Sequence, residues 1–146
     1  MTPVLVADDS DSIRRLVQAM LAGEEYEVRE AADGVEALDA LRASEQPMVV
    51  LLDYRMPRID GFGVLHAAVE NGQMLTQNEY IIITSEAGTF PESFIDLLRR
   101  LSIRVLPKPF DQEALVSAVA LAVERLNAPV EQALSDIPKA GQQDAM

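Results

Sequence analysis

The chain has 146 residues, 49% of them hydrophobic and 25% charged, with a net charge of −12 and no cysteine. This suits one domain with a proper core and excludes a chain disordered by composition. The acidic balance argues against direct nucleic-acid binding, which needs a basic face, and disfavours an anionic membrane surface; without cysteine, disulfides and thiolate metal sites are excluded.

The first strand runs from Val4 to Asp8 and meets Asp8-Asp9-Ser10-Asp11, which can cap a helix. That helix carries Ile13, Leu16, Val17, Met20 and Leu21 at helical spacing, and Gly23 ends it. Tyr26 to Glu30 alternates apolar and charged residues, as a strand exposed on one face at a sheet edge does. Asp33-Gly34-Val35-Glu36 opens a second helix with a cap at Asp33, and Val35, Leu38 and Leu41 are expected inward. Met48 to Leu52 is a continuous apolar run that ends on Asp53, followed by Tyr54-Arg55-Met56-Pro57. Such a run suits a strand buried on both faces of a parallel sheet.

A third helix begins at Gly61, with Phe62, Leu65 and Val69 on one side, and stops at Asn71-Gly72. Glu79 to Thr84 is a buried strand ending in a hydroxyl, and Pro91 starts a fourth helix with Phe94, Leu97, Leu98 and Leu101 inward. Ile103 to Leu106 is a fifth strand, stopped by Pro107-Lys108-Pro109, and Asp111 caps a last helix. Arg99-Arg100 reads as a solvated helix face, with a partner surface as the alternative, and His66 as a partly exposed helix residue. After Asn127 the pattern weakens: the expected domains are residues 1–126 and a tail or linker at 127–146, where a short helix over Val130 to Leu134 is only weakly supported. No apolar run of about 18 residues and no basic leader occurs, so neither a membrane span nor a signal peptide is expected, and a cytoplasmic location is the default.

Five strands alternating with five helices imply an α/β fold, a doubly wound parallel sheet covered on both faces. The carboxyl ends of parallel strands lie on one side of the sheet, so Asp8, Asp9, Asp53, Thr84 and Lys108 are expected to converge. Three carboxylates about 4–6 Å apart repel; at an effective dielectric near 20 each close pair costs roughly 4 kcal/mol. A cation would hold them together, and oxygen-only ligands suit Mg²⁺ or Mn²⁺. A lysine and a threonine beside them can neutralise and hydrogen-bond a phosphoryl group, so the set is arranged for phosphoryl transfer to Asp53.

The chain resembles a response-regulator receiver domain of two-component signalling over residues 3–126. The resemblance is carried by Val-Ala-Asp-Asp-Ser after the first strand, Ala-Asp-Gly-Val-Glu-Ala-Leu at the second helix, Leu-Leu-Asp-Tyr-Arg-Met-Pro-Arg-Ile-Asp-Gly after the third strand, Thr-Ser-Glu-Ala after the fourth and Lys-Pro-Phe after the fifth. It implies a flavodoxin-like fold with strand order 2-1-3-4-5. It further implies Asp53 as phosphoacceptor, Asp9 as a direct Mg²⁺ ligand, Asp8 as a second or water-mediated one, the backbone carbonyl of Arg55 as a further metal contact, and Thr84 and Lys108 as phosphoryl-binding groups. The implied donor is a histidine kinase or a histidine phosphotransfer protein, with slow self-hydrolysis tuned at Arg55 and Glu86 and no other enzymatic activity. The downstream protein target is not specified by the sequence, and self-association as a homodimer through the fourth and fifth helices is left open.

Two positions depart from the family pattern. Val105 stands where receivers usually carry a Tyr or Phe that swings on phosphorylation, so the Glu86 to Pro91 loop and the fourth helix are expected to carry more of the change. Pro107 before Lys108-Pro109 stiffens the last strand-to-helix turn. Competing readings are an aspartate-nucleophile phosphatase, a flavin or nucleotide binder, a receiver-like docking module that is not phosphorylated, and the N-terminal fragment of a multidomain regulator. The first needs an acid at Arg55, and the second a glycine- or hydroxyl-rich loop where Asp8-Asp9-Ser10-Asp11 stands.

Overall fold

The structure is a computed structural model that describes residues 1–85 and 87–128. Its elements in chain order are β1 (Thr2–Ala7), α1 (Asp11–Leu21), β2 (Tyr26–Ala31), α2 (Gly34–Ala43), β3 (Val49–Asp53), α3 (Gly61–Glu70), α4 (Gln73–Gln77), β4 (Glu79–Thr84), α5 (Glu92–Leu101), β5 (Arg104–Pro107) and α6 (Gln112–Leu126), with a 3-10 turn at Ala87–Thr89. All strand pairs are parallel and the sheet order is β2-β1-β3-β4-β5, the order that the family resemblance implies.

Alternation along the strands divides the interior in two. Leu5, Val50, Leu52, Tyr80 and Ile82 face one way and pack against α2, α3 and α5. Val4, Val6, Val49, Leu51, Ile81 and Ile83 face the other way and pack against α1 and α6. Every residue of β3 is buried, which is why its sequence reads as an unbroken apolar run rather than an alternation. β2, at the sheet edge, keeps half-exposed positions along its length.

Helix starts follow the chemistry of their caps. Ser10 accepts a hydrogen bond from the Ile13 amide, Asp33 from that of Glu36 and Asp111 from that of Ala114. Glu36 in turn accepts from the Ala32 amide at 3.0 Å, so the first turn of α2 is tied back to the residue before its cap.

The helix count differs from the sequence-based expectation, because six α-helices are present among the described residues. The additional one is α4, a single turn. It is held in place because Asn71 Oδ1 accepts from the Met74 amide, while Asn78 and Tyr80 both donate to the Met74 carbonyl. Two side chains also face away from their expected side: Leu16 and Val69 are exposed, while Val64 and Ala68 carry the buried stripe of α3. No helix among the described residues is long and apolar enough to cross a membrane.

Candidate functional site

The sheet delivers the expected residues to one end. In register, Ala7 lies beside Leu52, Asp53 beside Ile83, and Thr84 beside Pro107. Asp8, Asp9, Asp53, Thr84 and Lys108 therefore all stand at or just beyond the carboxyl ends of the four strands β1, β3, β4 and β5. Carboxylate oxygens of Asp8, Asp9 and Asp53 lie within 4.8 Å of one another.

The three carboxylates sit in different environments. Asp8 is wholly buried, Asp53 nearly so, and Asp9 is exposed. Asp8 Oδ1 accepts a hydrogen bond from the Ser10 amide at 2.9 Å, and its Oδ2 lies 2.7 Å from Lys108 Nζ. Lys108 Nζ also lies 3.4 Å from Asp53 Oδ1, so one ammonium spans two acids. Lys108 is placed by its backbone, whose amide donates to the Thr84 carbonyl at 2.8 Å, and the following Lys108-Pro109 peptide is cis. Thr84 is buried at the end of β4.

Burial pushes the Asp53 carboxyl up to about 6, helped by the negative charge of Asp8 and to a lesser degree of Asp9; Lys108 works in the opposite direction. Burial opposes the charge of Lys108, yet its hydrogen bond to Asp8 and the charge of Asp53 outweigh this and hold its pKa above the usual lysine value. The repulsion among the acids is thus only partly compensated by the lysine. At neutral pH Asp53 is mainly ionised and its unrelieved charge favours a cation. The donors are all oxygens, two of them nearly dry, which fits a hard divalent ion such as Mg²⁺ or Mn²⁺ held by Asp8, Asp9 and Asp53.

Beside the acids opens a cavity of about 460 Å³, lined by Asp9, Tyr54, Arg55, Met56, Pro57 and Asp60. Arg55 and Asp9 both stand in its wall. Its outer loop, residues 54–60, is tightly seated. The Gly61 amide donates to the Tyr54 carbonyl at 2.8 Å, and a Cβ on Gly61 would come within 2.6 Å of the Asp53 carbonyl oxygen. A Cβ on Gly34 would come within 2.0 Å of the Ile59 carbonyl oxygen. Arg58 adopts a left-handed φ of 72° and its guanidinium lies 3.3 Å from Asp33 Oδ2. The Asp33 carboxyl is held below its ordinary range chiefly by the Glu36 amide, with Arg58 adding to the effect.

Two functional features were not read from the sequence. One is the Asp33–Arg58 pair, since Asp33 reads there only as a cap. The other is an aromatic cluster next to Asp53: Tyr54 packs on Phe90 and Phe94 with ring centroids 4.6 and 5.0 Å away, and Phe94 packs on Phe62 and Phe90 at 4.9 Å each. The individual aromatics are visible in the sequence, but their meeting requires the β3–β4 pairing. Glu86, expected to tune hydrolysis, and the tail from residue 129 onward lie outside the described residues.

A strand-end acid trio with a bridging lysine on a 2-1-3-4-5 sheet defines the class, and the comparisons agree. A sequence profile described as the response regulator receiver domain matches residues 4–120, and the chain belongs to that family. It is 32% identical over 116 residues to Protein PilG of Pseudomonas aeruginosa, covering 80% of this chain and 83% of PilG. It is 34% identical over 120 residues to the DNA-binding transcriptional regulator NtrC of Escherichia coli K12, covering 82% of this chain but 24% of NtrC. The chain thus spans most of one relative and about a quarter of the other. Among solved structures, the chemotaxis protein CheY4 of Vibrio cholerae superposes with a TM-score of 0.69 at 32% identity, covering 84% of this chain and 98% of that one. A CheY-like receiver domain protein from Methanospirillum hungatei JF-1 superposes with a TM-score of 0.76 at 23% identity, covering 88% and 98%, and supports the fold.

Proposed function

We propose that this receiver accepts a phosphoryl group on Asp53 from a phosphohistidine on a histidine kinase or histidine phosphotransfer protein, and signals through protein–protein contact. The observation that carries this reading is the meeting of Asp8, Asp9 and Asp53 within 4.8 Å, with Lys108 Nζ 2.7 Å from Asp8 and 3.4 Å from Asp53. A carboxylate oxygen of Asp53 attacks phosphorus, the bond from phosphorus to the donor nitrogen breaks, and the imidazole leaves with that electron pair and takes a proton from solvent. Asp8, Asp9 and Asp53 would hold Mg²⁺ or Mn²⁺, with the Arg55 carbonyl as a further contact, and when bound the ion would supply positive charge against the phosphoryl oxygens. Lys108 and the Thr84 hydroxyl bind those oxygens at the dry end of the site.

Residues 1–126 act as the receiver and residues 127–146 as a tail or linker. Hydrolysis of the acyl phosphate by the same site is slow. A cytoplasmic setting follows from the donor, since histidine kinases present their phosphohistidine there. With Val105 in place of a ring, the segment leading to Phe90 and α5 relays the state of Asp53; the support is the packing of Phe90 on Tyr54, the residue after the acceptor.

The test is intact-mass spectrometry after incubation with acetyl phosphate, with and without Mg²⁺, on the wild type and Asp53→Asn. A Mg²⁺-dependent gain of one phosphoryl group, lost in the variant, is expected. No gain from acetyl phosphate or from any of a set of phosphorylated histidine kinases would favour an unphosphorylated docking module.

A further inference from the structure

The edge strand β2 supplies no side chain to the acid trio, yet it reaches the trio through Arg14 of α1. The Arg14 side chain is only 11% exposed, and its nitrogens diverge to three elements. Nε lies 3.0 Å from Glu30 Oε1 on β2, Nη1 donates to the Asp8 carbonyl just beyond β1, and Nη2 pairs with Asp11 in the first turn of α1. Arg15, the next residue, is exposed, and its side chain makes no such bond among the described residues.

The Asp8 carbonyl belongs to the peptide group that joins Asp8 to Asp9. On the other side of Asp8, its amide donates to the Ala31 carbonyl of β2 at 3.1 Å. Both peptide groups flanking Asp8 are therefore held by β2, one directly and one through Glu30 and Arg14. Because each peptide is a rigid plane, holding the two planes sets the directions in which Asp8 and Asp9 project. The Asp8 carboxylate is aimed further by the Ser10 amide at 2.9 Å. A guanidinium suits this task better than an ammonium, since its N–H groups form a planar fork of fixed geometry. Three bonds made by one rigid plane leave the Asp8 carbonyl little freedom.

Charge alone argues in the opposite direction. Arg14 is positive and lies beside a cluster of acids, so it repels a bound cation. Bare electrostatics predict that removing its charge tightens cation binding, whereas loss of positioning predicts weaker binding. The sign of the effect separates the two.

We propose that Arg14, braced by Glu30, is a positioning residue of the cation site: it fixes the Asp8–Asp9 peptide so that both carboxylates converge with that of Asp53 on one divalent ion. The proposal rests on the reading of Asp8, Asp9 and Asp53 as cation ligands. Groups that orient metal ligands in this way contribute about 10–100-fold to metal affinity.

The test is a Mn²⁺ titration of the full, metal-free chain, with free Mn²⁺ followed by electron paramagnetic resonance. Arg14→Gln should bind about tenfold more weakly than wild type. Arg15→Gln removes the same charge one residue along and should bind as tightly as wild type or slightly more so. Glu30→Gln should weaken binding more in the wild type than in Arg14→Gln, because only the wild type has a brace to lose; the direct effect of the Glu30 charge is the same in both. Amide spectra unchanged away from residues 8–14 and 30–31 confirm the fold. If Arg14→Gln does not fold, Arg14→Lys, which keeps the charge and loses the fork, replaces it with the same expectation. Acetyl phosphate labelling gives a second readout: Arg14→Gln should need more Mg²⁺ for its half-maximal rate and reach the wild-type rate at saturation. Equal or tighter Mn²⁺ binding by Arg14→Gln overturns the proposal. Equal weakening by Arg14→Gln and Arg15→Gln, or a labelling rate that stays low at saturating Mg²⁺, overturns it too. If wild type itself binds no Mn²⁺, the cation site falls and the proposal with it; tight wild-type binding to which Arg14→Gln is indifferent removes the proposal alone.

Discussion

Lys108 Nζ lies 2.7 Å from Asp8 Oδ2, an ion pair that ties the end of β5 to the end of β1 across the site. The Asp8 side chain is almost wholly inaccessible and the lysine is only 17% exposed, so little solvent screens the pair. Truncating one partner of a buried pair leaves the other charge uncompensated, at a cost of about 3–5 kcal/mol. Lys108→Ala should therefore be destabilised by about that amount in urea unfolding with chelator present, and Mg²⁺ should recover part of the loss by taking over the charge of Asp8 and Asp53. Equal stability of variant and wild type without metal would show that the pair is not a structural tie. Some labelling of Asp53 should survive, without the accompanying spectral change in β4 and α5.

Asp53 makes the metal-free protein sensitive to pH. Its carboxyl is raised from an ordinary value of 3.8 to about 6, first by burial and then by Asp8. Between those values the folded chain binds more protons than the unfolded one, so this group's contribution falls as pH rises through that window. The full loss above it is about 3 kcal/mol. Asp53→Asn removes the cost: with chelator present it should be more stable than wild type at about pH 7.5 and similar at about pH 4, and it should accept no phosphoryl group. Parallel stability curves for the two proteins would contradict this.

Asp9 is the exposed member of the trio, and its removal separates cation binding from folding. Asp9→Ala creates no cavity and relieves repulsion, so stability without metal should stay level or rise slightly. Cation affinity depends on ligand charge, so a Mg²⁺ titration should weaken by about tenfold or more, and acetyl phosphate labelling should slow with it. An unchanged labelling rate would remove Asp9 from the metal set.

The edge position of β2 and the strand-end residues were legible because apolar runs, alternation and polar stops are local signals, whereas the strand order came only with the family resemblance that the five motifs carry. The Lys108–Asp8 pair is a different case. Its members are 100 positions apart, and parallel topology implies nearness but not which acid the ammonium prefers. α4 escaped because a single turn has no periodicity, and what holds it is tertiary: Asn78 bridges the Met74 carbonyl and the Met48 amide. Val69 has the right spacing and the wrong side, since Val64 and Ala68 compete for the same sheet face and win it.

Gly34 shows how a residue outside the acid trio governs it. A Cβ there would meet the Ile59 carbonyl oxygen at 2.0 Å, and a backbone atom cannot rotate away. The loop at 54–60 would have to shift, and with it Arg55 and the cavity wall. Gly34→Ala should lose about 3 kcal/mol and bind Mg²⁺ more weakly. Gly23→Ala, with no atom within 4 Å of the new methyl, should do neither. Normal Mg²⁺ binding in Gly34→Ala would mean that the loop adjusts without disturbing the site.

Phe90 is a ring packed between the acceptor strand's end and α5, whereas β5 carries Val105. It is buried to 8% exposure, packs tilted against Tyr54 at 4.6 Å and meets Phe94 of α5 edge-on at 4.9 Å. A shift at the acceptor strand therefore has two packed routes to α5, one through Phe90 and one through the direct contact of Tyr54 with Phe94 at 5.0 Å. Phe90→Ala should cost about 3 kcal/mol and still be labelled on Asp53, because no atom of the ring belongs to the acid cluster. What it should weaken is the response of α5 amides to phosphorylation, leaving the part carried by Tyr54 on Phe94. Phe90→Leu is the control for packing alone: it refills most of the volume, restores stability and should not restore the response. If α5 responds normally in both variants, the signal leaves Asp53 by another path, and Thr84, at the end of β4, becomes the residue to vary next.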